Sequence, residues 1–119
     1  MSAEITVNGF PYEPGIPTEH ANLDVDTGTE TVDTFSDTLC KGAYWDYVVS
    51  NGNNLRTGRV TASWAAATDT VQYSETSTPD VGDTSALTFT VDINSDLVRL
   101  RATATSDNWV VEAWRMELS

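Results

Sequence analysis

The sequence predicts an all-β protein: an antiparallel β-sandwich, jelly-roll-like, of about seven to eight strands, with an extended N-terminal arm. Three observations carry this expectation. From Glu30 to Leu118, apolar and polar residues alternate with a period of two in short runs. Clusters of Asn, Asp, Gly and Ser separate the runs at turn positions. No stretch sustains a period of 3.6, and Thr, which suits the outward face of a strand, is used heavily. The 119 residues leave room for one domain. The expected division is an arm over residues 1–28 and a sandwich over residues 29–119.

The arm holds Pro11, Pro14 and Pro17, with Gly15 among them. Proline fixes its own φ and pushes the residue before it to extended geometry. One short strand over residues 4–7, ending at the Asn8–Gly9 turn, fits this segment. Its apolar residues Ile5, Val7, Phe10, Tyr12 and Ile16 are too many for a disordered tail. They have too few neighbours for a core of their own, so they call for a partner surface.

The strands follow in order. Residues 29–38 alternate weakly through Val32, Phe35 and Leu39. Residues 43–49 are aromatic and β-branched, and residues 50–54, with Asn51–Gly52, form a turn. In residues 59–65, Val60, Ala62 and Trp64 share a face. Residues 70–74 place Val71 and Tyr73 inward, and a loop with Pro79 and Gly82 follows. In residues 86–93, Leu87, Phe89, Val91 and Ile93 face one way. In residues 97–105, Val98, Leu100, Ala102 and Ala104 point inward, and Arg99 and Arg101 outward. Residues 109–118 change phase, because Val110 and Val111 are adjacent and Trp114, Met116 and Leu118 come later. A β-bulge near Val111 would reconcile the two sets.

Eighteen acids against six bases give a net charge of −12. Such a chain repels nucleic acid and anionic membranes, and suits a basic partner or simple solubility. The longest apolar stretch, residues 64–67, is far too short to span a bilayer, and no basic–apolar–small leader opens the chain. The lone Cys40 allows no internal disulfide and is expected as a small buried thiol, consistent with folding in a reducing cytoplasm.

Chemistry-bearing patterns are sparse. The acidic run from Asp24 to Asp33 invites a calcium reading, but Gly28 stands where a ligand is needed, so a solvated linker is expected. Asp80–Val81–Gly82–Asp83 reads as turn chemistry, with Gly82 at positive φ. His20 stands alone and is expected as an exposed residue of the arm. No nucleophile elbow or phosphate loop is present. No catalytic residue, metal or cofactor is therefore expected. Among the aromatics, Trp64 and Tyr73 fit the core, while Trp45 and Trp114 remain open between core and a sugar-binding platform. Arg59, Arg99, Arg101 and Arg115 lie inside strands. They read either as partners of carboxylates on neighbouring strands or, for Arg99 and Arg101, as an interface stripe.

Several segments have a familiar wording: Val32–Asp33–Thr34–Phe35, Tyr44–Trp45–Asp46–Tyr47–Val48–Val49, Leu55–Arg56–Thr57–Gly58–Arg59–Val60 and Tyr73–Ser74–Glu75–Thr76–Ser77–Thr78. Asp80–Val81–Gly82–Asp83–Thr84, Trp109–Val110–Val111 and Arg115–Met116–Glu117–Leu118 add to it. From Thr31 onward the chain resembles the small β-sandwich virion proteins of tailed bacteriophages. That resemblance implies a structural role in the virion, assembled in the host cytoplasm. A free-standing chain with an arm resembles capsid decoration (cement) proteins. These dock on the major capsid protein as homo-oligomers, often trimers. A tail- or head-fibre or adaptor subunit that binds a receptor or glycan would look much the same.

Overall fold

The computed structural model describes residues 16–119. Among the described residues, eight strands follow one another: β1 (Thr18–Val25), β2 (Gly28–Ser36), β3 (Gly42–Asn51), β4 (Asn54–Ala65), β5 (Thr70–Ser77), β6 (Leu87–Asn94), β7 (Leu97–Ala104) and β8 (Trp109–Leu118). The only helical turn among the described residues is a three-residue 3-10 turn at Ala66–Thr68. The strands form two antiparallel sheets, a large one in the order β1-β8-β3-β4-β5 and a small one in the order β2-β7-β6. The first described strand pairs with the last and the second with the second-to-last, which is the nested pairing of a jelly roll. The expected all-β sandwich is therefore the observed fold.

The core lies between the sheets. Trp45, Tyr47, Val49, Val60, Ala62 and Trp64 from the large sheet meet Phe35, Leu87, Phe89, Val91, Val98 and Leu100 from the small one. Phe35 lies against Trp64 at 5.5 Å between ring centres, and Tyr47 against Phe89 at 4.6 Å. Cys40 is a buried free thiol, as expected, and burial pushes its pKa up.

Four expectations need correction. The arm was placed over residues 1–28, but Thr18–Val25 is a strand of the large sheet, at its edge among the described residues, and Val25 is fully buried. Of the three prolines only Pro17, directly before this strand, lies within the described residues. His20, expected exposed in the arm, sits on β1 with its ring over the sandwich interior. The bulge expected near Val111 is not in β8, which pairs with β3 without a shift from Val110 to Leu118. It lies instead in the partner strand, between Asn22 and Val25 of β1. The inward set of β8 is thus Trp109, Val111, Ala113 and Arg115, while Trp114, Met116 and Leu118 point outward. Finally, Tyr73 keeps the inward register opposite Ala62 but is 44% exposed. The small sheet has three strands against five, so β5 overhangs it.

A second bulge, between Thr31 and Asp33 of β2, turns Asp33 into the interior next to Val32. At the end of the sandwich that carries the β3–β4 turn, carboxylates serve the backbone. Asp80 accepts from the amide and hydroxyl of Thr84 at 2.8 and 2.6 Å, and Asp83 accepts from the Ser85 amide at 2.9 Å. Asp107 accepts from the amide and hydroxyl of Thr27 at 2.9 and 2.8 Å. Gly82 has φ +73° there, as expected from the turn reading. Asp26 of the acidic run accepts from the Asn108 amide, and Glu30 from the Asp26 amide.

These bonds hold the carboxyls of Asp80, Asp83 and Asp107 below the ordinary carboxylate range. The leading cause is the Thr84 side chain for Asp80, the Ser85 side chain for Asp83 and the Thr27 amide for Asp107. A depressed folded pKa stabilises above the unfolded value and is lost as pH falls through the folded one. Amide exchange at Thr27, Thr84 and Ser85 should therefore quicken, relative to the core strands, as pH falls below about 4. Uniform exchange across both ends of the sandwich in acid would refute this.

Candidate functional site

β8 and β3 are neighbours at the centre of the large sheet, and alternation decides what they show to solvent. β8 presents Val110, Glu112, Trp114, Met116 and Leu118, and β3 presents Tyr44, Asp46 and Val48. In register, Trp114 lies between Glu19 of β1 and Asp46 of β3, and Met116 lies beside Tyr44. Trp114 is 37% exposed and Leu118 is 44% exposed. The Arg59 guanidinium lies 3.8 Å from the centre of the Tyr44 ring and bonds both oxygens of Asp46, at 2.7 and 3.1 Å. The result is an apolar, partly aromatic row bordered by carboxylates and one clamped guanidinium. Such a surface can seat a protein or the flat face of a sugar ring. The strand β1, which continues from the N-terminal segment, runs along its margin.

The two tryptophans left open by the sequence part company here. Trp45 is fully buried and its indole donates to Asp33 at 2.8 Å, so it belongs to the core. Trp114 is the surface one. Of the residues expected to bind a partner, Ile5, Val7, Phe10 and Tyr12 lie outside the described residues. Ile16 precedes β1 and is 57% exposed. Arg99 and Arg101 share the outward face of β7, as expected, but not one environment. Arg99 is occupied by Asp92, with two bonds of 2.7 Å, whereas Arg101 enters no ion pair among the described residues and its Nε is buried without a partner. The pairing of strand arginines with carboxylates on adjacent strands thus holds for Arg59 and Arg99, whereas Arg115 pairs across the sandwich with Asp33 of the facing sheet.

A polar constellation also sits in the interior. Asp33 accepts from Arg115 Nη1 at 2.9 and 3.0 Å, from Trp45 Nε1, and lies 3.1 Å from His20 Nδ1. His20 Nε2 is in turn 2.8 Å from the Thr18 hydroxyl. A hydroxyl, an imidazole and a carboxylate in sequence have the layout of a nucleophilic relay. Here, however, Asp33 is already engaged by a buried guanidinium, which competes for the charge that would stabilise an imidazolium. Arg115 also bonds Glu117 at 3.0 Å and lies 4.3 Å from the Phe35 ring centre. The cluster ties β1, β2, β3 and β8 together, and its geometry is that of a structural tie.

Sequence reasoning missed Arg56 and the inward direction of Arg115. It also missed the outward row as a unit, because it read Trp114, Met116 and Leu118 as the later apolar set of a strand that changes phase and left Trp114 itself open between core and surface. Strict alternation through residues 109–118 would have found both, at the cost of accepting an arginine inside. Among the described residues, no helix is long and apolar enough to cross a membrane.

No protein-family model and no curated protein matches the chain. Among solved structures, the tailspike protein of Acinetobacter phage vB_ApiP_P1 is similar in fold at 18% identity, with a TM-score of 0.48. The alignment covers 98% of this chain and 24% of that one, so the chain spans about a quarter of that protein's length. A likeness this distant carries no argument about function.

Proposed function

We propose that this chain is a non-catalytic structural protein of a tailed-phage virion. In this reading it is a capsid decoration protein that docks on the major capsid protein, bridges capsomers and acts as a homo-oligomer, with a trimer favoured. The observation that carries this reading is the outward Trp114–Met116–Tyr44 row beside the strand that continues from the N-terminal segment. A surface aromatic bordered by a clamped arginine is the composition of a protein interface centre. The residues in front of β1 would extend that contact as a strap, and the resemblance of the sequence to small virion sandwiches agrees with it. A second reading rests on the carboxylates on either side of Trp114. An indole between Glu19 and Asp46 also suits a glycan, which would make the chain a fibre or adaptor subunit.

Trp114→Ala tests both. On the capsid reading, the variant folds like the parent but occupies purified capsids at least about tenfold more weakly, since interface tryptophans are often worth 2 kcal/mol or more. A glycan array should be silent for both proteins. Glycan binding lost in Trp114→Ala, without capsid binding by the parent, would replace the capsid reading with the fibre one. Removal of residues 1–15, rather than 1–28, is the truncation that tests the strap, because it spares β1.

A further inference from the structure

At the sandwich end opposite the β3–β4 turn, three loops converge. Asp37 follows β2, Asp69 lies between the 3-10 turn and β5, and Asp96 lies in the β6–β7 turn. One carboxylate oxygen from each lies within 4.8 Å of the other two. The scaffold brings these groups together. The Asp37 amide donates to the Asp96 carbonyl at 3.0 Å. The Trp64 indole donates to the carbonyls of Asp37 and Cys40, both at 3.0 Å, and so fixes the β2–β3 loop against the end of β4.

A cluster of acids on a surface is common and means little. This one differs in Asp37, which is only 4% exposed. Its Oδ2 is buried and has no hydrogen-bond partner among the described residues, although it belongs to a side chain aimed at two other carboxylates. Buried carboxylate oxygens are almost always satisfied, by a donor, a water or an ion. None of the three acids has a Lys, Arg or His within ion-pair distance among the described residues. Burial, and then the charges of Asp96 and Asp69, pushes the Asp37 carboxyl up from its ordinary value. A group in that position is costly to the fold unless a cation meets it.

We propose that Asp37, Asp69 and Asp96 form a binding site for a hard divalent cation, calcium. The donors are all oxygen, which disfavours zinc and the softer metals. They come from three separate loops, and Asp69 and Asp96 are exposed, so water can supply further ligands. Calcium accepts irregular oxygen shells at 2.3–2.6 Å, whereas magnesium demands a near-ideal octahedron at about 2.0–2.1 Å. Asp37 and Asp96 belong to loops of the small sheet and Asp69 to a loop of the large one, so the ion clamps the two sheets at this end.

The test uses the full chain, stripped with a chelator and then titrated with CaCl2 or MgCl2. Calorimetry should show one calcium per chain, and saturating calcium should raise the thermal midpoint by roughly 5–10 °C. Trp64, adjacent to Asp37, should sensitise terbium luminescence that calcium displaces. Asp69→Asn and Asp96→Asn, both at exposed positions, should fold normally and lose the calcium shift and the luminescence. Asp37→Asn removes the buried charge, so it should be more stable than the parent in chelator yet indifferent to calcium. Three outcomes would each overturn the assignment. One is no binding by the parent, another an equal response to magnesium, and the third a calcium shift that survives Asp69→Asn together with Asp96→Asn.

Discussion

Asp33→Ala should lower the unfolding free energy by about 3–5 kcal/mol, the range for breaking a buried ion pair from one side. Asp33 is 4% exposed, accepts from Arg115 and Trp45, and lies 3.1 Å from His20 Nδ1. Its removal leaves a buried guanidinium facing the Phe35 ring, with Glu117 as its remaining carboxylate. The Nε of Arg115 is already buried without a partner, so little is left to solvate the charge. The Trp45 indole, on a fully buried side chain, would lose its acceptor as well. Removing both charges is a different experiment. Asp33→Leu combined with Arg115→Met should cost much less than Asp33→Ala alone, because the desolvation of the pair disappears with it. Chemical denaturation of Asp33→Leu, Arg115→Met and the double variant, beside Asp33→Ala, checks this through the non-additivity of the losses. A loss below about 1 kcal/mol for Asp33→Ala would show that Arg115 reaches water when its partner is gone.

That same pair explains why part of the fold was hard to read. β6 and β7 were legible because every inward position is apolar: Leu87, Phe89, Val91 on one, Val98, Leu100, Ala102, Ala104 on the other. In β8 the inward series reaches Arg115, and an apolarity rule must then shift phase to keep Trp114 and Met116 inside. The protein keeps the phase and satisfies the arginine with an aspartate that a bulge in β2 delivers. Two local irregularities that need each other are invisible when strands are read one at a time. β1 was hidden for a similar reason. Its sequence, TEHANLDV, has little apolar alternation, because its inward positions include His20 and Asn22, which find polar partners. The site was less legible than the fold. Asp37, Asp69 and Asp96 occupy three loops far apart in the chain, and only sheet closure brings them together. Trp114 was noticed as a surface candidate, but the residues beside its row on the adjacent strands, Glu19, Asp46 and Tyr44, are set by register, which spacing alone does not fix.

Arg56→Ala should cost about 3 kcal/mol, as the second buried cation of the sandwich. The sequence reading began its strand at Arg59 and so passed over it, although Arg56 continues the inward phase of Gly58, Val60, Ala62 and Trp64. Its side chain is 10% exposed. Nη1 donates to the Thr84 carbonyl at 3.2 Å and to the Thr84 hydroxyl at 2.8 Å, Nη2 to the Leu87 carbonyl at 3.1 Å, and Nε to the Tyr47 hydroxyl at 3.2 Å. Glu75 of β5 pairs with it at 3.3 Å and accepts from the Tyr47 hydroxyl. One guanidinium thus joins the overhanging strand β5, the core tyrosine and the loop that enters β6. Burial, and then the bond to Glu75, pushes the Tyr47 pKa up to about 12, with Arg56 acting in the opposite direction. Arg56→Met separates the roles, since methionine keeps much of the apolar stem packing and removes the fork. If the fork is what matters, Arg56→Met falls close to Arg56→Ala in stability. Both variants should then lose amide protection at Leu87, whose N–H bonds the same Thr84 carbonyl, before the strands of the small sheet exchange. If Arg56→Met instead keeps most of the stability, apolar packing of the stem is the larger contribution, and the loop should stay protected.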